Sequence, residues 1–314
     1  MMIISILMLA SGLIILLTAA HVIIPGTISV AYYFRVPAHV VAVLLIAAGT
    51  SAPELIVAIQ AGLNGTPQIV WGNIIGSNIT NILVVLSISG LFFPIATTDT
   101  QTKRDMILLL AISAIITISA YYFAALPLFV SILLVIILAC YTLYLVCLKP
   151  DEEESEKNTE GAELSFKRSL IYCIAGVAGL VFGADLMVNA AVDLAVALSI
   201  SKAVIGLTII AFGTSLPEIA AAIASLFHRR ADMALGSIIG SNIFNIVAGL
   251  GITRLVSELP VTTEILVTGI PVMILSTLIL ALLILFKQPL GKIISVCFLA
   301  IYCLFLWLNL AIGI

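Results

Sequence analysis

Charge is what this sequence has least of. Only 9% of its 314 residues are Asp, Glu, Lys or Arg, where a soluble domain carries about 25%. That shortfall excludes an ordinary water-exposed surface. The net charge of −3 is too small to recruit nucleic acid or another polyanion. Histidine is scarce too, with three residues, and the five cysteines (Cys140, Cys147, Cys173, Cys297 and Cys303) lie in apolar segments without metal-site spacing. They read as small buried hydrophobes, and zinc or copper finds no soft ligand set here. No basic stretch precedes the first apolar run. The start of the chain therefore reads as a first membrane span rather than a cleaved signal peptide.

What is abundant is apolar sequence, at 62% of residues. The fold class is an all-α polytopic membrane protein. A helix needs about 20 apolar residues to cross a bilayer. Ten runs fit, near 2–24, 38–63, 68–93, 106–124, 126–148, 168–199, 202–227, 232–256, 264–286 and 290–312. Residues 25–37 either extend the first span or form a loop. The one long hydrophilic segment, within 149–167, carries the acidic run from Asp151 to Glu163 and reads as a solvated, mobile loop. It divides the chain into 1–148 and 168–314, with five spans on each side. An odd number of spans per half obliges the second half to enter the membrane from the opposite face. The expectation is ten transmembrane helices arranged as two inverted five-helix repeats.

Basic residues give the orientation. With loops assigned alternately to two sides, one side holds Arg35, Lys103, Arg104, Lys149, Lys157, Lys167, Arg168, Arg229, Arg230, Lys287 and Lys292, and the other only Lys202 and Arg254. The rich side is expected to be cytoplasmic. Both termini then lie outside and the central loop inside, in an integral membrane protein expected in the plasma membrane.

One stretch occurs twice. Gly49-Thr50-Ser51-Ala52-Pro53-Glu54 is followed by Gly76-Ser77-Asn78-Ile79-Thr80-Asn81. Gly213-Thr214-Ser215-Leu216-Pro217-Glu218 is followed by Gly240-Ser241-Asn242-Ile243-Phe244-Asn245. The offset is 164 residues throughout, without a gap. Each motif falls near the middle of its span, hence near the bilayer midplane. A carboxylate there costs several kcal/mol unless it has a partner. Thr50 with Glu54, Ser77 with Asn81, Thr214 with Glu218 and Ser241 with Asn245 are each four apart and share a helix face. Pro53 and Pro217 lack an N–H and interrupt their helices around Gly49 and Gly213, freeing carbonyls that are tolerated only beside a cavity or an ion. Gly72, Gly76, Gly236 and Gly240 allow close helix approach. A single Gly-Thr-Ser-x-Pro-Glu in a soluble protein would read as a capped helix start. Two copies at midplane depth, each with the same partner motif, read as a binding site.

The donors are two carboxylates (Glu54, Glu218), two amides (Asn81, Asn245) and six hydroxyls (Thr50, Ser51, Ser77, Thr214, Ser215, Ser241). All are hard oxygens. Ca²⁺ takes six to eight such ligands in a forgiving geometry, whereas Mg²⁺ keeps its water. Two negative charges balance one Ca²⁺ or two Na⁺. Competition of two ions for one site is the physical basis of exchange.

At these residues the sequence resembles the sodium/calcium exchanger family of the calcium:cation antiporter superfamily, in its prokaryotic form. The likeness is tightest over 39–93 and 203–257, the two alpha-repeats. It implies Glu54 and Glu218 as central calcium ligands shared with sodium, and Thr50, Thr214, Ser51, Ser215, Ser77 and Ser241 as hydroxyl ligands of flanking sodium sites. It further implies carbonyl ligands from Ala47 and Ala211, with Asn81 and Asn245 completing the centre. Spans one and six would slide past the other eight. The implied exchange is three Na⁺ in for one Ca²⁺ out, with no cofactor, no enzyme activity and no partner beyond the ions and the bilayer; the sequence is compatible with a monomer. Asn245 stands where the potassium-dependent branch has Asp, which argues against potassium cotransport. Thr50 and Thr214 favour sodium over protons; the alternative is a Ca²⁺/H⁺ or other divalent-cation antiporter.

Outside the motifs, Asp185, Asn189 and Asp193 are spaced along one face of the sixth span, and Asp185, near mid-depth, is a candidate for the ion path. Trp71, Tyr32 and Tyr33 read as interfacial anchors. Asn64-Gly65-Thr66 fits a glycosylation sequon.

Overall fold

A chain with this composition has few ways to satisfy its backbone. In hydrocarbon every N–H and C=O must be paired within the protein, and a helix does this inside one segment. The computed structural model describes residues 2–95, 100–149, 164–197, 213 and 215–312. Eleven helical segments account for most of them: α1 Met2–Phe34, α2 Ala38–Thr50, α3 Ala52–Leu63, α4 Pro67–Phe92, α5 Thr100–Phe123, α6 Leu128–Cys147, α7 Phe166–Ala197, α8 Leu216–Phe227, α9 Ala231–Val256, α10 Ile265–Leu285 and α11 Lys292–Ile312. Among the described residues eight helices are each long and apolar enough to cross a membrane. α2 and α3 together make a ninth candidate, bent by 44°. The expected span over 202–227 is described only in its later part, as α8.

Residues 25–37, open between span and loop in the sequence, resolve into both. α1 runs through Pro25 to Phe34. It then stops where Arg35 takes a left-handed φ of 52°. Pro37 follows as the N-cap of α2. Corresponding ends repeat at the 164-residue offset. α3 closes with Thr66 N–H on Ala61 O and Gly65 N–H on Gly62 O. α8 closes with Arg230 N–H on Ser225 O and Arg229 N–H on Leu226 O. Gly65 and Arg229 both have positive φ there, the left-handed helix stop that glycine favours.

α4 and α9 carry the motif asparagines and are the most deeply buried spans. One large apolar core surrounds them, drawn from Trp71, Ile75, Leu83, Ile112, Ile239 and Ile246 among others. A second, smaller core joins α1 and α7 to α2 and α8, with alanines such as Ala19, Ala42, Ala184 and Ala221 set among larger aliphatic side chains. α1 and α7 pack along one another. A Cβ on Gly183 would stand 2.8 Å from Leu16 N and 2.9 Å from Gly12 O. Backbone meets backbone at that point, which only glycine allows.

The two halves clasp each other reciprocally. Ile95 exchanges both backbone hydrogen bonds with Leu290, each at 3.1 Å. Elsewhere Leu126 N–H donates to Leu259 O and Val261 N–H to Ala124 O, both at 2.9 Å. At the 164-residue offset Ile95 corresponds to Leu259 and Leu126 to Leu290. The Leu126–Leu259 bond is therefore the Leu290–Ile95 bond with its halves exchanged.

Three sequence expectations are corrected. Trp71 is not an interfacial anchor but fully buried, because α4 is a central helix. Cys140, Cys147, Cys297 and Cys303 are exposed on outer helix faces, and Cys173 alone is buried; outward-facing apolar positions here meet lipid, so an apolar segment does not imply burial. Of the four motif glycines, Gly240 does admit close approach, with a Cβ placed 3.0 Å from Val43 Cγ1 and 3.1 Å from Ala47 Cβ. Gly236 lies against the ring of His39. Gly72 and Gly76 meet no such neighbour among the described residues.

Candidate functional site

The site begins with two broken helices. α2 ends at Thr50 and α3 begins at Ala52, with Ser51 between them at φ −84°, ψ 0°. Ser215 precedes α8 with nearly the same angles, φ −91°, ψ 1°. Neither serine uses its side chain as a cap. Pro follows in each first turn, where its missing N–H costs nothing, and each acid comes one residue later. Glu54 and Glu218 thus stand at helix N-termini, whose exposed N–H groups favour negative charge.

Both acids point inward. Glu54 is 3% exposed and Glu218 4%. They are near enough for their charges to repel. The Thr50 hydroxyl faces the Glu218 carboxylate, so a side chain of the first half meets the acid of the second. Among the described residues no Lys, Arg or His forms an ion pair with either acid. Among the described residues four motif oxygens are buried without a hydrogen-bond partner: Ser51 Oγ, Glu54 Oε2, Asn81 Oδ1 and Glu218 Oε2. A buried polar atom left unpaired costs about 1–3 kcal/mol, and a charged one more. The two carboxylate oxygens are the costliest of these.

Two neighbouring hydroxyls share one acceptor. Thr50 Oγ1 donates to Ala47 O at 3.3 Å, and Ser241 Oγ, from the other half, donates to the same carbonyl at 3.5 Å. Ala47 O also accepts Ser51 N–H at 2.9 Å. Thr50 therefore has two acceptors within reach of one hydroxyl proton, Ala47 O and the Glu218 carboxylate. Ser77, Ser215 and Ser241 are buried as well. Of the residues expected in the site, Ala211 and Thr214 lie outside the described residues.

Backbone geometry marks the same positions. π-helical turns span Ala42–Ala47, Asn81–Val85 and Asn245–Leu250. Single π turns inside α-helices cluster at functional sites. Here two begin at the paired asparagines, 164 residues apart, and one ends at Ala47. No composition signal marks them in the sequence.

The structure also brings in residues that motif reading left without a role. Asn73 Nδ2 donates to Glu54 O at 2.9 Å, tying α3 to α4. Asn78 and Asn242 bond across the two halves, to each other's carbonyls and to Asn245 and Asn81. Away from the motifs, His39 Nε2 meets Asp105 Oδ2 at 2.6 Å, while Arg230 Nη2 meets Asp232 Oδ2 at 2.6 Å. His39 was invisible as a partner because Asp105 lies 66 residues away. Asp185, by contrast, is exposed and accepts a 3.1 Å bond from Asn189 one turn on. No cluster of three or more His, Cys, Asp and Glu residues occurs among the described residues. The site's charge is therefore two carboxylates, and its remaining donors are neutral oxygens. That suits hard cations and not zinc or copper.

Comparison with known proteins agrees with this chemistry. The family model described as sodium/calcium exchanger protein matches twice, over residues 4–147 and 168–311. The chain is 34% identical over 265 residues to the putative antiporter CaxA of Alkalimonas amylolytica, covering 82% of each chain. It is 27% identical over 322 residues to the sodium/calcium exchanger MaX1 of Methanosarcina acetivorans, covering 90% of this chain and 92% of that one. Among solved structures, the sodium-calcium exchanger NCX_Mj in a crystal soaked with Na⁺ and Ca²⁺ superimposes with a TM-score of 0.83 and 29% identity over 99% of both chains.

Proposed function

Because this chain belongs to the sodium/calcium exchanger family, we propose that it is a secondary antiporter exchanging Na⁺ for Ca²⁺ at the site between α3 and α8. One observation carries the reading. Two inward-facing carboxylates approach each other deep in the bundle, with no basic side chain paired to either among the described residues. A pair left so needs a bound cation or a proton to supply the balancing charge.

The ligand set we propose is Glu54 and Glu218 at the centre, Asn81 and Asn245 beside them, hydroxyls from Thr50, Ser51, Ser77, Thr214, Ser215 and Ser241, and carbonyls from Ala47 and Ala211. The unpartnered oxygens of Ser51, Glu54, Asn81 and Glu218 support it. Ca²⁺ and Na⁺ would compete for the carboxylates. An empty site leaves two buried charges uncompensated, so crossing unloaded is disfavoured and the two fluxes are coupled. With two carboxylates, three bound Na⁺ leave net +1 and one Ca²⁺ leaves zero, so a three-for-one cycle moves charge.

The architecture we propose is ten spans in two inverted five-helix repeats, 1–148 and 168–314, with 149–167 as a cytoplasmic loop and both termini outside. Reciprocal pairing supports a two-fold relation between the halves, since such an axis turns every contact i–j into a matching contact j–i. α1 and α7 would slide together across the second, smaller core to alternate access. The orientation rests on the asymmetry of basic residues.

The test is ⁴⁵Ca²⁺ uptake into proteoliposomes with sodium, potassium and proton gradients imposed separately. Uptake against a calcium gradient, driven by sodium alone, is expected. Uptake that ignores sodium but follows a pH gradient would replace this reading with Ca²⁺/H⁺ antiport. Failure to concentrate Ca²⁺ under any gradient would indicate a channel.

A further inference from the structure

Four asparagine side chains at the centre of the bundle are almost completely buried: Asn78, Asn81, Asn242 and Asn245. Asn78 Nδ2 donates to Asn242 O at 3.4 Å, and Asn242 Nδ2 donates to Asn78 O at 3.2 Å. Asn245 Nδ2 donates to Asn78 Oδ1 at 3.2 Å, and Asn81 Nδ2 donates to Asn242 Oδ1 at 3.0 Å. Every one of these bonds joins the first half of the chain to the second.

The chemistry of the group fixes which way each amide faces. A backbone carbonyl only accepts, so the atom of Asn78 or Asn242 that meets one must be the NH₂. Their Oδ1 atoms then face the neighbouring amides and require a donor there. Asn81 and Asn245 must turn their NH₂ groups inward to meet them. The carbonyl ends of Asn81 and Asn245 are thereby aimed away from the asparagine cluster. Among the described residues Asn81 Oδ1 is buried without a partner, as are Ser51 Oγ and both acids' Oε2 atoms. An amide free to rotate could offer a cation its NH₂, which repels it.

We propose that Asn78 and Asn242 are positioning residues that lock the carboxamides of Asn245 and Asn81, respectively, with oxygen toward the ion. This rests on the site reading above. Neither residue need touch the ion. Each acts through the ligand amide of the opposite half, so the dependence crosses the chain: Asn78 serves Asn245, and Asn242 serves Asn81. Only an asparagine fills the role at this length, because the side chain must donate to one group and accept from another at once.

The crossing gives a test that loss of packing cannot imitate. Ca²⁺ affinity is measured by titration calorimetry on purified full-length protein without Na⁺, for single and double alanine variants that still melt cooperatively. Asn78→Ala is expected to weaken binding about tenfold, the worth of one well-placed hydrogen bond. In double-mutant cycles Asn78→Ala with Asn245→Ala should be no worse than Asn245→Ala alone, and Asn242→Ala with Asn81→Ala no worse than Asn81→Ala alone. The same-helix pairs, Asn78 with Asn81 and Asn242 with Asn245, should multiply instead. Equal coupling in all four pairs, or none in any, overturns the proposal. If Asn81→Ala, Asn245→Ala, Glu54→Gln and Glu218→Gln all leave Ca²⁺ binding untouched, the site reading itself has failed, and the proposal with it. The Asn242–Asn81 arm stands independently if the Asn78 variants do not fold, and a serine series repeats both arms if alanine is not tolerated.

Discussion

His39 Nε2 lies 2.6 Å from Asp105 Oδ2, with the two side chains 0% and 3% exposed. The bond ties the first turn of α2 to α5, and His39 Nδ1 sits 3.2 Å from Asp232 O at the start of α9. Three helices therefore converge on one imidazole, on the helix that precedes the break before Glu54.

Removing half of that pair strands the other half in a place without water. Asp105→Ala is expected to cost about 3 kcal/mol and to lower the thermal midpoint in detergent. Ca²⁺ affinity should stay within about twofold, since Asp105 supplies no proposed ligand. An unchanged midpoint would show that the pair holds nothing together.

Glu54→Gln and Glu218→Gln should affect stability and binding in opposite directions. Each removes a buried charge that lacks a basic partner, so each should raise the melting temperature in buffer free of Na⁺ and Ca²⁺. Each should also weaken Ca²⁺ binding by about two orders of magnitude. Wild-type protein at a hundred times its Kd gains about 2.7 kcal/mol from the ligand. Scanning calorimetry with and without Ca²⁺ reads both effects, and glutamine variants that still gain stability from Ca²⁺ would place the ion elsewhere.

The hydroxyls should separate the two ions. Ser51→Ala and Ser215→Ala remove neutral oxygens and leave both charges in place. Apparent Na⁺ affinity in the flux assay is expected to fall several-fold, and Ca²⁺ affinity to change by less than about twofold. Equal losses for both ions would argue against separate flanking sodium sites.

Gly183→Ala tests the seam between α1 and α7. The added methyl would stand against Leu16 N and Gly12 O, backbone atoms that cannot rotate aside. A cost of about 1–3 kcal/mol is expected, read as a lowered unfolding midpoint. A variant as stable as wild type would mean that the two helices separate without penalty.

Much of this molecule could be read from its residues. Pro53 lacks the N–H that would pair with Gly49 O, and the bend between α2 and α3 falls beside it, at Ser51. Glu54 and Glu218 were legible as a pair because the same six-residue pattern recurs at one offset, and the structure does bring them together. What was hidden depends on three-dimensional contact. Nothing in the sequence distinguishes Trp71 in a central helix from a tryptophan at a membrane surface, because both sit in apolar runs. The π turns at Asn81 and Asn245 leave no compositional mark. Asn78 and Asn242 stood inside the motif, yet their partners lie on the opposite half and could be known only once the two were joined.

That joining has a consequence for how the protein can be made. Each half leaves a carboxamide that only the opposite half can satisfy, and each pairs backbone groups with the other through Ile95–Leu290 and Leu126–Leu259. Synthesised as two separate polypeptides cut at the hydrophilic segment, the fragments should seek each other out in the bilayer and rebuild the whole, whereas either one alone should be a substrate for membrane proteases.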